Sequence, residues 1–259
     1  SSSAASDVYK RQDPHALQRH GDKLFIKQKA YIVDSSRIGL TYVSLDVLKK
    51  AGFKIDSKFK STMQQMFAID LHPPNGTPIL GSVDVLVDYQ YDPLHIAMSG
   101  NLGSGRAGYV YDNFNVKGIG RTKLAKEKPT NEHGTGRLPS KSAYWEMVVS
   151  NTMFDSHITG ATPIVAILDY HSTNKNAPPY SVIVRLDGTA LDRPVHLHTE
   201  KSNLEKSFNL ETTISQLAKA DANRFIERIV HGAWSGGNIS LSGHMIDMDT
   251  TSSVNFRFP

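Results

Sequence analysis

Along much of the chain, apolar and polar positions alternate. Val83, Val85, Val87, Tyr89 and Tyr91 fall at period two and predict a strand over residues 79–91, ended by Asp92-Pro93. Residues 23–33 and 39–43 mix β-branched and aromatic side chains and predict shorter strands. Residues 46–51 predict a short helix stopped by Gly52. Residues 107–111 and 114–117 are two extended arms joined at Asp112-Asn113. A helix opens at Pro139-Ser140. Ala143, Met147 and Phe154 mark its apolar face, and Glu146 lies one position off that face. The unbroken apolar run 162–168 predicts a buried strand, and residues 180–186 another, carrying Arg185. Leu210, Ile214, Leu217, Phe225 and Ile229 recur at helical spacing, which predicts one or two helices within 203–230. A hairpin-like run follows at 239–245. Strands, one helix, strands, then helices make an α+β chain with two lobes.

The chemistry concentrates at residues 101–146. A glycine-rich turn, Leu102-Gly103-Ser104-Gly105-Arg106-Ala107, is followed by a hairpin that carries Lys117 on its far arm. A second glycine loop, Gly134-Thr135-Gly136-Arg137, leads into the helix of Glu146. Glycines let a backbone approach phosphate closely, and successive N–H groups can line an anion-binding concavity. A strand lysine can neutralise phosphate oxygens while a helix glutamate holds it in place, as in the small lobe of a kinase. A GxG turn near a lysine is also common in hairpins that bind nothing.

Composition narrows this little. The chain has 259 residues, 39% hydrophobic and 21% charged, and no cysteine, so disulfides and thiol chemistry are excluded. No apolar run reaches membrane-spanning length. The net charge of +4 is weakly basic. Its lysine clusters, Lys49 to Lys60 and Lys123 to Lys128, read as solvated faces, because no aromatic platform or nucleic-acid motif accompanies them. His196 and His198 alternate on one stretch without a third ligand and read as structural. Residues 1–12 read as a non-native or disordered tail. Residues 13–180 read as a β-rich N-lobe-like region and 181–259 as a partial C-lobe. The cytoplasm is the default compartment.

The ordered motifs resemble the selenoprotein O (SelO/YdiU) family of protein adenylyltransferases. The matching stretches are Leu102 to Ala107, Val116-Lys117-Gly118-Ile119-Gly120-Arg121-Thr122, and Gly134 to Arg137, which begins twelve residues before Glu146. Val149-Ser150-Asn151-Thr152-Met153, the loop His231-Gly232 to Gly237-Asn238, and Asp247 nine residues after Asn238 complete the series. The resemblance implies a protein-kinase-like fold with a β-rich N-lobe, one αC-like helix and a partial helical C-lobe. It implies that ATP is held flipped, so that AMP passes to Ser, Thr or Tyr hydroxyls of acceptor proteins. By position, Gly103, Gly105 and Arg106 would line the nucleotide loop, and Lys117 would contact phosphate and pair with Glu146. Gly136, Arg185 and Arg193 would hold the flipped phosphates. Asn238 and Asp247 would bind Mg²⁺, and Asp247 would also meet the nucleotide.

Several positions depart from that pattern. The family's base, an aspartate before the metal-binding asparagine, is Gly237 here, and glycine accepts no proton. Thr135 stands where the family has aspartate, and Asp249 where it has glycine. Arg185 and Arg193 are eight residues apart rather than seven. The sequence therefore reads as a divergent, truncated member. The alternative to an adenylyltransferase is a catalytically inactive nucleotide-binding pseudokinase or scaffold. His231 reads as a loop anchor rather than as a replacement base.

Overall fold

The structure is a computed structural model that describes residues 25–89, 104–111, 114–125, 132–156, 160–172, 176–186, 193, 209–232, 236–241 and 243–253. It is a mixed α+β chain with a large antiparallel sheet and few helices. The strands are β1 (Phe25–Val33), β2 (Ile38–Val43), β3 (Ile69–Asp70), β4 (Ile79–Asp88), β5 (Ala107–Val110) and β6 (Phe114–Lys117), then β7 (Leu138–Pro139), β8 (Ile164–Tyr170) and β9 (Tyr180–Leu186). Among the described residues these form one sheet, in the order β2-β8-β9-β6-β5-β4-β1-β3, with β7 also paired to β9. A two-stranded ladder joins β10 (Ile229–Val230) to β11 (Ser252–Ser253). The helices are α1 (Leu45–Lys50), α2 (Phe59–Phe67), α3 (Ser140–Ser156) and α4 (Leu210–Ile226).

Strand alternation divides the sheet into two faces. On β6 and β9, Phe114, Val116, Val182 and Val184 join the main core with Val85 and Val87 of β4 and with α1 and α2, whose Leu48, Met63 and Phe67 cover that side. The intervening residues face α3, where Leu138, Ala143, Ile164, Ile167 and Ile183 pack together. Asn115 is paired with Arg185 and Lys117 with Ile183, so Asn115, Lys117 and Arg185 share the α3 face.

Most predicted elements lie within a residue or two of their expected bounds. The sheet continues past residue 180, where a regional division was expected, because β9 runs between β8 and β6 at its centre. Strand β10 takes Ile229 out of the helix expected there. Residues 59–67, for which the sequence pattern predicts no element, form α2. Gly103, the Asp112-Asn113 turn, the tail 1–12, His196 and His198 lie outside the described residues. No helix among the described residues is long and apolar enough to cross a membrane.

Candidate functional site

The site begins with Lys117, at the end of a central strand and 1% exposed. Its Nζ lies 3.1 Å from Glu146 Oε2 and 2.8 Å from Asp247 Oδ1. Asp249 Oδ2 is farther away, at 3.8 Å. Arg185 on the neighbouring strand donates to Glu146 Oε1 through Nε at 3.0 Å and also through Nη2, which reaches Asp247 Oδ1 as well. Its Nη1 donates to Asn115 Oδ1 at 3.0 Å. One buried carboxylate is thus divided between a lysine and an arginine, each oxygen serving one cation. Leaving either cation in this low-dielectric setting without its carboxylates would be expensive.

Helix α3 presents Glu146 because its rotation is fixed at several points. Ser140 at its start and Asp169 of β8 both bond the Ser181 hydroxyl. Tyr144 donates to Asp169 Oδ2 at 3.0 Å. Asn151 donates to the Ile164 carbonyl at 2.9 Å and accepts from the Ile164 N–H at 2.8 Å. Tied to the sheet near its start and again at Asn151, the helix turns Glu146 inward beside Ala143, where it is completely buried.

Asp247 arrives from the C-terminal hairpin. Ile239 and Met245 bridge antiparallel, and the Ile246 N–H donates to the Asn238 carbonyl at 3.0 Å. Asn238 is therefore held across the hairpin from Ile246, next to Asp247. The backbone at Asp247 is left-handed, with φ 61° and ψ 53°, a conformation that aspartate tolerates better than most residues. Burial alone would raise the Asp247 carboxyl; the Lys117 ammonium and the Arg185 guanidinium outweigh it and hold the group well below the ordinary carboxylate range. Burial alone would likewise lower the Arg185 guanidinium, but Glu146 and Asp247 raise it.

The glycine turn sits over the same strand end. The Gly118 N–H donates to the Arg106 carbonyl at 2.8 Å, and the Thr122 N–H to the Gly105 carbonyl at 3.1 Å. Arg106 Nη2 then approaches Asp249 Oδ2 at 3.6 Å. Ser104 is anchored by its hydroxyl to Asp88 Oδ1 at 2.8 Å. Asp88, fully buried, also pairs with Arg193, whose Nη1 donates to the Gly237 carbonyl at 2.8 Å and whose Nη2 reaches the Tyr109 hydroxyl at 3.3 Å. Gly136 backs this arrangement: the Gly120 N–H donates to its carbonyl at 3.1 Å. At φ +69°, a Cβ on Gly136 would lie 2.1 Å from the Gly120 and Arg121 backbone.

Lys117, Glu146, Arg185 and Asp247 therefore meet directly, and Arg106 joins them through Asp249. Arg193 belongs to an adjoining cluster with Asp88, and Asn238 lies beside Asp247 on the hairpin. Sequence reasoning missed Asn115 and Asp88. Asn115 was legible as the residue two before Lys117 on the same strand face, whereas nothing local to Asp88 signals its arginine. Arg137 is engaged elsewhere. It binds the fully buried Asp70 through Nη2, at 2.9 and 3.0 Å to its two oxygens, and stacks on the Tyr170 ring at 4.2 Å. No protein-family model matches the chain, and no curated protein matches it.

Among the described residues no group of three or more His, Cys, Asp or Glu could hold a metal. The Asp247 carboxylate and the Asn238 amide suit a hard cation such as Mg²⁺, which commonly takes few protein oxygens and completes its shell with water and phosphate. Both Asp247 cation contacts use Oδ1. The donor types thus fit a cation that comes with a phosphate-bearing ligand.

Proposed function

We propose that the protein binds ATP with Mg²⁺ on a SelO-like, protein-kinase-like scaffold and transfers AMP to protein hydroxyls. The observation that carries this reading is the buried Lys117–Glu146 pair. A strand lysine is held 3.1 Å from a helix glutamate, and a carboxylate from a distant loop reaches the same lysine at 2.8 Å. Kinase-like enzymes use this combination to seat phosphates and a metal ion. Lys117 and Arg106 would contact phosphate oxygens, and Arg185 and Arg193 would supply further positive charge. Asn238 and Asp247 would hold Mg²⁺, which supplies charge neutralisation on the phosphates when bound.

In the transfer, an acceptor hydroxyl oxygen forms a bond to the α-phosphorus, the bond from that phosphorus to the bridging oxygen breaks, and pyrophosphate leaves. The hydroxyl proton needs an acceptor. Gly237 has no side chain to take it, and its carbonyl already accepts from Arg193. Loss of a general base typically lowers the rate by a factor of about 10² to 10⁴. That observation favours the second reading, a catalytically inactive nucleotide binder.

Labelled ATP separates the two. Incubation with Mg²⁺ and a protein acceptor should transfer label from α-³²P-ATP and none from γ-³²P-ATP. Transfer from γ alone would replace AMP transfer with phosphoryl transfer. Absence of transfer, together with Mg²⁺-dependent ATP binding that is lost in folded Lys117→Ala protein, would establish the inactive binder. If the wild-type protein does not bind ATP, both readings are wrong.

A further inference from the structure

Three carboxylates approach Lys117, and they are not equivalent. Glu146 and Asp247 lie at 3.1 and 2.8 Å and are both shared with Arg185. Asp249 lies at 3.8 Å, has no contact with Arg185, and instead approaches Arg106 at 3.6 Å through the same oxygen, Oδ2. It therefore bridges a strand lysine and a glycine-turn arginine with a single anionic oxygen, which is how a phosphate oxygen would meet them.

The local charges balance: Lys117, Arg106 and Arg185 face Glu146, Asp247 and Asp249. An incoming phosphate would upset that balance unless a carboxylate withdrew. Asp249 can withdraw at least cost, because Lys117 keeps two closer partners and Arg106 keeps the Arg137 carbonyl, to which its Nη1 donates at 3.4 Å. The backbone that carries Asp249 is tied before it, where the His231 ring Nε2 lies 2.7 Å from the Ile246 carbonyl, and again just after it. The Thr250 hydroxyl donates to the His231 carbonyl at 2.7 Å, and the Trp145 indole donates to the Thr251 carbonyl at 3.3 Å. Withdrawal is thus a side-chain rotation on a fixed turn.

We propose that Asp249 is a built-in occupant of the anion subsite made by Arg106 and Lys117, and that a nucleotide phosphate binds there by displacing it. This inference rests on the nucleotide reading given above. Asp249 lowers the affinity of the site by the fraction of time its carboxylate fills it, and neutral replacements leave that fraction open to the ligand. They also leave no buried cation without a partner, so the fold is retained.

Calorimetric titration with Mg²⁺-ATP tests this on wild-type, Asp249→Asn, Asp249→Ser and Asp249→Glu proteins, with folding monitored by circular dichroism. The two neutral variants should bind roughly tenfold more tightly than wild type, as a subsite blocked about nine-tenths of the time requires, while Asp249→Glu stays near wild type. Wild-type binding that the neutral variants leave unchanged or weaken would overturn the displaced carboxylate and leave the nucleotide reading standing. Tightening in Asp249→Glu as well would overturn it too, since charge would not be the cause. If none of the folded proteins binds Mg²⁺-ATP, the nucleotide reading fails and the inference fails with it.

Discussion

Lys117 shows how unequal the two directions of a charge substitution are. Removing its ammonium leaves Glu146, Asp247 and Asp249 facing only Arg185 and Arg106. Breaking a buried ion pair by deleting one partner typically costs about 3–5 kcal/mol. Lys117→Met should therefore destabilise by about that amount in urea denaturation, despite its similar volume. Asp247→Asn combined with Lys117→Met restores the charge balance. Asparagine also tolerates the left-handed backbone at this position, so the double variant tests charge and not strain. The pair should be clearly less destabilising than the sum of its two single effects. Simple additivity would mean that Lys117 and Asp247 act independently despite their 2.8 Å contact.

Helix α3 is the element that turns these residues into a site, and Asn151 is its firmest attachment to β8. Replacing Asn151 with alanine leaves the Ile164 N–H and C=O without their side-chain partner. At about 1–3 kcal/mol for each buried group so stranded, Asn151→Ala should lower the melting temperature by several degrees. An unchanged melting curve would show that α3 is held by its packing on Ile164, Ile167 and Ile183 alone. The helix and its glutamate were legible in the sequence, because Pro139-Ser140 marks the start and the apolar spacing fixes the inward side. Strands β4 and β8 were legible for the matching reason, a clean alternation in the first and a continuous apolar run in the second. Helix α2 was overlooked although Phe59, Met63, Met66 and Phe67 follow helical spacing and are buried. It is short, and no side-chain cap marks its start. The helical spacing of Leu210, Ile214, Leu217 and Phe225 foretold α4 but not which side of it is buried. Leu210, Ile214 and Phe225 are exposed, and Thr213 and Ala220 are buried. The reason is close approach: a Cβ on Gly243 would sit 3.1 Å from that of Ala220, which leaves room only for small side chains. Periodicity shows that a helix has two sides, but not how near its neighbour comes.

For the molecule as a whole, the charge cluster around Lys117, with the Asp247 side chain at its partly exposed edge, makes stability depend on pH. The Asp247 carboxyl is held well below its ordinary value by Lys117 and Arg185, against the opposing effect of burial. A carboxyl depressed in the folded state contributes stability above its unfolded value, about 3.9, and loses it as pH falls through the folded value. The wild-type melting temperature should therefore fall more steeply between pH 5 and pH 2 than that of Asp247→Asn; parallel curves would remove Asp247 from the acid response. Pairings set over long sequence distances, such as Lys117 with Asp247 or Arg137 with Asp70, were the least legible part of the site. Charges so far apart along the chain meet only after the sheet has formed. The bond from the Trp145 indole to the Thr251 carbonyl has a practical consequence. The chain holds two tryptophans, and this one touches the turn that carries Asp249, one residue before Glu146 on α3. With the other, Trp234, replaced by phenylalanine and excitation confined to wavelengths that the ten tyrosines do not absorb, emission comes from a single indole joined to both helix and turn, so a ligand that moves the Asp249 turn can be followed in real time without any added dye.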